Sequence, residues 1–101
     1  MFSKLIRKDD VEFTYKNIYY RISIGETESF YIYDVFDKDG KPAIIDDGKD
    51  KYLIKTTISK FDEDGKDRVK IIGEDTIIEF IKSQIRGAKD HYDYLKLNNQ
   101  I

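Results

Sequence analysis

The spacing of apolar residues changes once along this chain, at Gly73, and this change limits the fold more than any other feature of the sequence. Before Gly73, apolar and polar residues alternate, which is typical of half-buried strands. After Gly73, apolar residues recur every three or four positions, which predicts one amphipathic helix over residues 74–97. Such a helix buries its apolar stripe most simply by lying across the apolar face of the sheet.

Five to six β segments are predicted between residues 11 and 72. They cover residues 11–15, 18–24, 29–36, 43–45, 52–61 and 68–72. The first two are joined at Lys16 and Asn17, which suit a tight hairpin because Asn tolerates the left-handed conformation. The predicted fold class is therefore α+β: an antiparallel meander, open or curled into a half-barrel, packed against one C-terminal amphipathic helix.

The length of 101 residues predicts a single domain over residues 1–101, in which residues 1–10 form a lead-in to the sheet. Aromatic residues make up 14% of the chain and charged residues 38%, as expected of a folded domain with a solvated surface. The lack of cysteine excludes disulfides, thiolate metal sites and cysteine nucleophiles. Because the sequence has no membrane-length apolar run and no leader-like start, we expect a cytoplasmic location.

Two near-identical segments, FDKDGK from Phe36 and FDEDGK from Phe61, are predicted to be one type of turn used twice. Acidic residues cluster around both turns, but the spacing of an EF-hand fails. With Gly65 at loop position six, position one is Lys60, where a carboxylate is required. The sequence therefore predicts no metal site.

The motifs that short enzymes commonly use are missing from the sequence. His91 is the only histidine, no G-x-S-x-G elbow is present, and the glycines form no phosphate-binding loop. We therefore expect no catalytic residue, no cofactor and no enzymatic activity. A carboxylate-dependent hydrolase is the enzymatic alternative, and it requires a cleft that surrounds a pair of carboxyl groups.

Aromatic and basic residues are predicted to share the outer face of the sheet, away from the helix. The predicted surface comprises Tyr19, Arg21, Tyr31, Tyr33, Lys55, Arg68 and Lys70. Tyr and Arg are enriched in interface hot spots, so the sequence predicts a non-catalytic protein-binding or regulatory module. A homodimer through this face is a second form of the same hypothesis. Single-stranded nucleic-acid binding is the alternative, because aromatic and basic side chains also hold bases and phosphates.

The overall charge favours a protein partner. The formal net charge is −2, so the chain has neither a basic field for nucleic acid nor a strongly acidic one. The composition is rich in Ile and Lys, and together with the small size it suggests an accessory protein of a phage or mobile element, such as an inhibitor of a host enzyme.

Overall fold

The computed structural model of the chain describes Ile6–Arg7 and residues 10–101, so most of the predicted lead-in lies outside the described residues. The strands are β1 (Ile6–Arg7), β2 (Val11–Tyr15), β3 (Ile18–Glu26), β4 (Phe30–Phe36), β5 (Ile45–Asp46), β6 (Lys51–Tyr52) and β7 (Lys55–Ser59). The helices are α1 (Arg68–Ile72) and α2 (Glu74–Leu97). The α+β prediction is confirmed: an antiparallel sheet packs with a C-terminal helix, and the sheet is not closed.

The main sheet is antiparallel and is built around β3. One edge of β3 pairs with β2 over Ile18–Ile22 and with β1 at Gly25 and Glu26. The other edge pairs with β4, which in turn pairs with β7. Strands β5 and β6 form a separate two-stranded sheet. Strand β7 therefore ends the described sheet on one side, and β2 and β1 share the other side.

The predicted hairpin between β2 and β3 is confirmed. Lys16 and Asn17 have φ angles of 51° and 66°, and Tyr15 pairs directly with Ile18. Two successive residues with positive φ characterise the tight turn whose twist matches that of the flanking strands. The register that follows from this turn places Phe13 opposite Tyr20, and their rings stack with centroids 5.2 Å apart.

The two similar segments fold into the same turn, as predicted. In each turn the first Asp, Asp37 or Asp62, accepts hydrogen bonds through its side chain from the amides two and four residues later, at 2.8–3.0 Å. Gly40 and Gly65 occupy equivalent positions, and both have φ of 76°. The repetition is therefore explained by local turn chemistry, in which Asp accepts backbone hydrogen bonds and Gly supplies the positive φ.

The strand predicted over residues 68–72 is wrong, because these residues form helix α1. The carboxylate of Asp67 accepts hydrogen bonds from the amides of Val69 and Lys70, which is the geometry of a helix N-cap. Only Val69 of this helix is buried. The alternating sequence here resembles a strand, but the N-cap and the single buried contact favour one turn of helix.

Helix α2 follows α1 directly, so Thr76 and Glu79, whose spacing predicts a capping box at the start of this helix, do not cap it. The N-cap is Gly73, with φ of 93° and no side-chain cap, and Thr76 already lies inside the helix. The predicted helical range is confirmed, and Glu74 and Asp75 lie in the first turn, where they stabilise the positive end of the helix dipole. No helix in the described part of the chain is long and apolar enough to cross a membrane.

The core lies between the sheet and α2. The sheet contributes Tyr20, Ile22, Ile24, Tyr31, Tyr33 and Val35, and α2 contributes Ile77, Ile78, Ile81, Ile85 and Ala88. Val11, Phe13, Tyr15 and Ile58 pack around the margin. The alternation in the strands and the helical spacing after Gly73 thus place their apolar residues in one interior.

The segment between β4 and β7 differs from the prediction. The sequence predicts a short strand over 43–45 and a long strand over 52–61, but the structure has β5, β6 and β7. Its two short strands pair around a turn over residues 47–50, and β7 begins only at Lys55. Ala43, Ile45 and Ile54 are buried, which holds the segment against the core beside α2. Ile44 points outward and stays 62% exposed.

Candidate functional site

The predicted Tyr and Arg surface is not a single face, because β4 has the opposite orientation to the one expected. The register pairs Ile24 with Tyr33 and Glu26 with Tyr31, and directly opposed residues point to the same side of a sheet. Tyr31 and Tyr33 therefore lie on the core side, where they are 5% and 0% exposed. The outer face of β4 instead carries the intervening residues, such as Ile32 and Asp34.

Three of the predicted residues, Tyr19, Arg21 and Lys55, lie on the outer face of the sheet. Each of them contacts or lies opposite a different side chain. The hydroxyl of Tyr19 donates to Glu12 Oε1 at 3.0 Å. Arg21 places Nε 3.3 Å from Asp10 Oδ2 and its guanidinium 5.3 Å from the centre of the Phe36 ring. Lys55 lies opposite Asp34.

The remaining two predicted residues, Arg68 and Lys70, are exposed on α1 and not on a strand. Arg68 Nε donates to the carbonyl of Phe61 at 3.3 Å. The structure therefore does not bring the seven residues together. A surface on which Tyr31 and Tyr33 stack against bases is not available, because both side chains are buried in the core.

The structure instead has an open cleft between α2, the start of β3 and the segment before β5. The lining residues are Ile18, Tyr20, Ile44, Ile45, Asp46, Ile85, Lys89 and Tyr92. Tyr20, Ile45 and Ile85 are buried and form an apolar floor, whereas Ile18 and Ile44 on the rim are 40% and 62% exposed. Apolar rim residues around an apolar floor are a feature of interaction sites, since covering them removes more apolar area from water.

The cleft continues into a second cavity that shares Asp46 and Tyr92 with the first. Its other lining residues are Gly48, Lys96 and Ile101. The last residues of the chain reach this cavity because Asn99, with φ of 57°, reverses the chain after α2. The amide of Gln100 bonds to the carbonyl of Leu95 at 2.9 Å and that of Asn99 to Lys96 at 3.1 Å, as in a Schellman motif.

The volumes of the two cavities indicate what they can hold. They measure about 220 Å³ and 230 Å³. Sites for drug-sized ligands span roughly 300–1,000 Å³, whereas a cavity of about 150 Å³ already accommodates a benzene ring. Each cavity therefore matches one aromatic or branched aliphatic side chain better than a complete small molecule.

The charged groups along the cleft are mostly engaged by the protein. Asp46 Oδ1 accepts from the amide of Gly48 at 2.8 Å. Lys89 Nζ lies 5.1 Å from the centre of the Tyr92 ring and 3.4 Å from Asp93 Oδ1. Lys96 makes no described ion pair within 4.0 Å and is exposed. The cleft thus presents one acidic wall, one basic wall and an apolar floor.

A second cluster of polar side chains lies around Tyr31, at the other end of β3. The hydroxyl of Tyr31 donates to Asp67 Oδ2 at 2.6 Å, and Lys60 Nζ lies 2.6 Å from Glu26 Oε2. The hydrogen bond from Tyr31 is the main cause that lowers the pKa of Asp67, and the same bond raises the pKa of Tyr31. These contacts fix α1 to the sheet, so we interpret the cluster as structural.

The acidic turns are also engaged by their own backbone. Asp37, Asp47 and Asp62 accept amide hydrogen bonds within their turns. Among the residues that the structure describes, no group of three or more His, Cys, Asp or Glu side chains is arranged to hold a metal ion. His91 is exposed on α2 and lines neither cavity of the cleft.

Comparison of the chain with protein-family models, with curated proteins and with solved structures found no match. The geometry of the cleft is therefore the feature that defines the candidate site. The sequence gives one indication of the cleft, the apolar run over residues 42–45 between two acidic turns. Periodicity alone does not indicate that Ile44 and Ile18 border the same cavity.

Proposed function

We propose that this chain is a small cytoplasmic protein-binding module with a regulatory role, and that its cleft receives an apolar side chain of the partner protein. The observation that supports this is the cleft itself, an apolar floor bordered by the exposed side chains of Ile18 and Ile44. An accessory or inhibitor role in a phage or mobile element is the biological setting that we favour from composition and size.

The energetics of the rim support an anchoring role. Covering an exposed isoleucine side chain contributes roughly 1–2 kcal/mol, and every 1.4 kcal/mol is about tenfold in affinity. Ile18 and Ile44 are both partly exposed, so a partner that covers both gains a useful share of its binding energy at this one position. Interface hot spots have this form, in which a large side chain fills a desolvated pocket.

The walls of the cleft define the chemistry of the partner. The floor favours an aromatic or branched aliphatic residue, and the cavity volumes admit one such side chain each. Lys96 stands at the second cavity and favours a carboxylate on the partner beside that anchor. The preferred ligand is therefore a peptide segment with one apolar anchor followed or preceded by Asp or Glu.

A displayed peptide library tests this proposal. We expect immobilised protein to enrich peptides with an aromatic or branched aliphatic anchor, and Ile44→Asp to weaken their binding at least about tenfold. Phe80→Asp is the matched control, because Phe80 is similarly exposed on α2 and lines neither cavity. Circular dichroism verifies that both variants are folded.

Three results would overturn the proposal. One is a failure of the wild-type protein to enrich any anchored peptide. The others are equal binding of the enriched peptides to wild type and to Ile44→Asp, and an equal loss with Phe80→Asp. The nucleic-acid alternative gains no support from the structure, since Tyr31 and Tyr33 are buried.

A further inference from the structure

Strand β7 has one edge without a partner among the residues that the structure describes. The other edge pairs with β4 over Lys55–Ser59. An unpaired edge presents backbone N–H and C=O groups that can pair with another strand, and proteins usually cover or block such edges. The free edge of β7 is therefore a candidate site for pairing with a strand of another chain.

The phase of the ladder shows which backbone groups point outward. The amide of Lys60 donates to the carbonyl of Ser29 at 2.7 Å, and hydrogen-bonded pairs alternate along an antiparallel ladder. Ile58 and Thr56 consequently exchange hydrogen bonds with β4. The outward-pointing backbone groups belong to Lys55, Thr57 and Ser59, whose side chains are all exposed.

The opposite edge of the sheet is different, because α2 extends beside β2. The hydroxyl of Tyr15 donates to Asp90 Oδ1 at 2.8 Å, and Lys16 Nζ lies 2.7 Å from the same carboxylate. Lys82 Nζ lies 5.5 Å from the centre of the Phe13 ring. Ile58 of β7 packs at the margin of the core, but no hydrogen bond or ion pair from α2 to a side chain of β7 is described, so β7 is the more accessible edge.

We propose that two copies of this chain pair through β7, antiparallel to each other, about a two-fold axis at Thr57. In this register Thr57 faces Thr57 of the second copy and Lys55 faces Ser59, so all three outward-facing residues exchange backbone hydrogen bonds. A shift of two residues leaves one of them unpaired. The symmetric register therefore makes the most hydrogen bonds.

The distribution of charge supports the same register. A pairing centred on Lys55 brings two ammonium groups face to face, which is destabilising, whereas the pairing centred on Thr57 separates them to the two ends. Within each copy Lys55 lies opposite Asp34 on β4, which offsets its charge. A Thr pair at the axis is a favourable cross-strand pair, and two-fold closure leaves neither β7 edge open.

A charge-swap experiment tests this arrangement through the molecular mass in solution. We expect the wild-type chain to sediment as a species of twice the monomer mass at high concentration. Thr57→Lys alone and Thr57→Glu alone place like charges at the axis, and each weakens the dimer at least about tenfold. An equimolar mixture of the two variants restores a dimer that contains one of each.

Thr14→Lys is the matched control, because Thr14 is exposed on β2 at the opposite edge. We expect it to leave the dimer intact, and Ile44→Asp in the cleft to do the same, which separates this inference from the proposed function. The inference is overturned if the wild type stays monomeric at every concentration. It is also overturned if Thr57→Lys dimerises normally, if the mixture fails to associate, or if Thr14→Lys abolishes the dimer.

Discussion

The hydroxyl of Tyr31 donates a 2.6 Å hydrogen bond to Asp67 Oδ2, and the other carboxylate oxygen of Asp67 accepts from the first-turn amides of α1. One carboxylate thus joins β4 of the sheet to the start of a five-residue helix. Tyr33, two residues along β4, is fully buried, and its hydroxyl has no hydrogen-bond partner among the described residues.

Removing these two hydroxyl groups is expected to change stability in opposite directions. Tyr33→Phe removes an unsatisfied buried polar atom and stabilises the fold by about 1 kcal/mol. Tyr31→Phe removes the donor to Asp67 and lowers the free energy of unfolding. Urea denaturation measures the free energy of unfolding of both variants and tests the two opposite predictions. The comparison is matched because each variant loses only the hydroxyl oxygen of a core tyrosine. Destabilisation by Tyr33→Phe would show that its hydroxyl is satisfied in solution.

The same tyrosines predict a loss of stability at alkaline pH. Burial is the main cause that raises the pKa of Tyr33 to about 12, whereas a tyrosine in the unfolded chain has a pKa near 10. A raised folded-state pKa means that the stabilising effect is complete below pH 10 and is lost as pH rises toward 12. Tyr33→Phe should therefore flatten part of the decline in free energy of unfolding above pH 10. An unchanged alkaline profile in this variant contradicts the prediction.

The contacts of Lys16 predict a corresponding effect in acid. Lys16 Nζ lies 2.7 Å from Asp90 Oδ1 and 2.9 Å from Asp93 Oδ2, and these contacts are the main cause that lowers the pKa of both carboxyl groups from the ordinary 3.8. A lowered folded-state pKa means that the stabilisation is present above pH 3.8 and is lost as pH falls below it. Lys16→Gln should lower the melting temperature at pH 7 and have little effect at pH 2.

Lys38→Gln provides the control for this experiment. Lys38 is exposed in the turn after β4 and makes no described ion pair, so its replacement should leave the melting temperature unchanged at both pH values. Added salt should narrow the difference between Lys16→Gln and wild type at pH 7, because the ion pairs are exposed to solvent. A difference that persists at pH 2 would indicate an effect of the turn conformation and not of charge.

Two glycines give opposite expectations for substitution by alanine. Gly87 is exposed in the middle of α2, and a Cβ there meets no atom within 4 Å. Gly87→Ala should therefore stabilise the protein by about 1 kcal/mol through helix propensity. Gly48 has φ of 93°, and a Cβ there lies 2.7 Å from Leu95 Cδ1. Gly48→Ala should destabilise the fold. Thermal melts test whether the melting temperature rises for Gly87→Ala and falls for Gly48→Ala.

Local signals of the sequence predict most of the fold. The tight turn at Lys16 and Asn17, the repeated Asp and Gly turns and the range of α2 all follow from short-range chemistry, and the structure confirms them. Residues 68–72 are one exception, because the cap from Asp67 outweighs their strand-like alternation. A five-residue segment has too few positions for periodicity to distinguish a strand from one helical turn.

The candidate site is less predictable than the fold. The predicted surface assumed that the tyrosines of β4 face solvent, but the register with β3 turns Tyr31 and Tyr33 inward, and a shift of one residue reverses every side chain of a strand. The cleft depends on how the segment around Ile44 packs beside α2, which is a tertiary contact between residues distant in the sequence. Single-sequence patterns carry no information on such contacts.

The position of α2 after all of the strands determines the order in which this protein can complete its fold during synthesis. Tyr15 and Lys16 find their partners on Asp90 and Asp93 only after some seventy further residues have been added. Until α2 has been synthesised, the apolar face of the sheet lacks the helix that covers it. The apolar core can therefore close only after α2 has been translated.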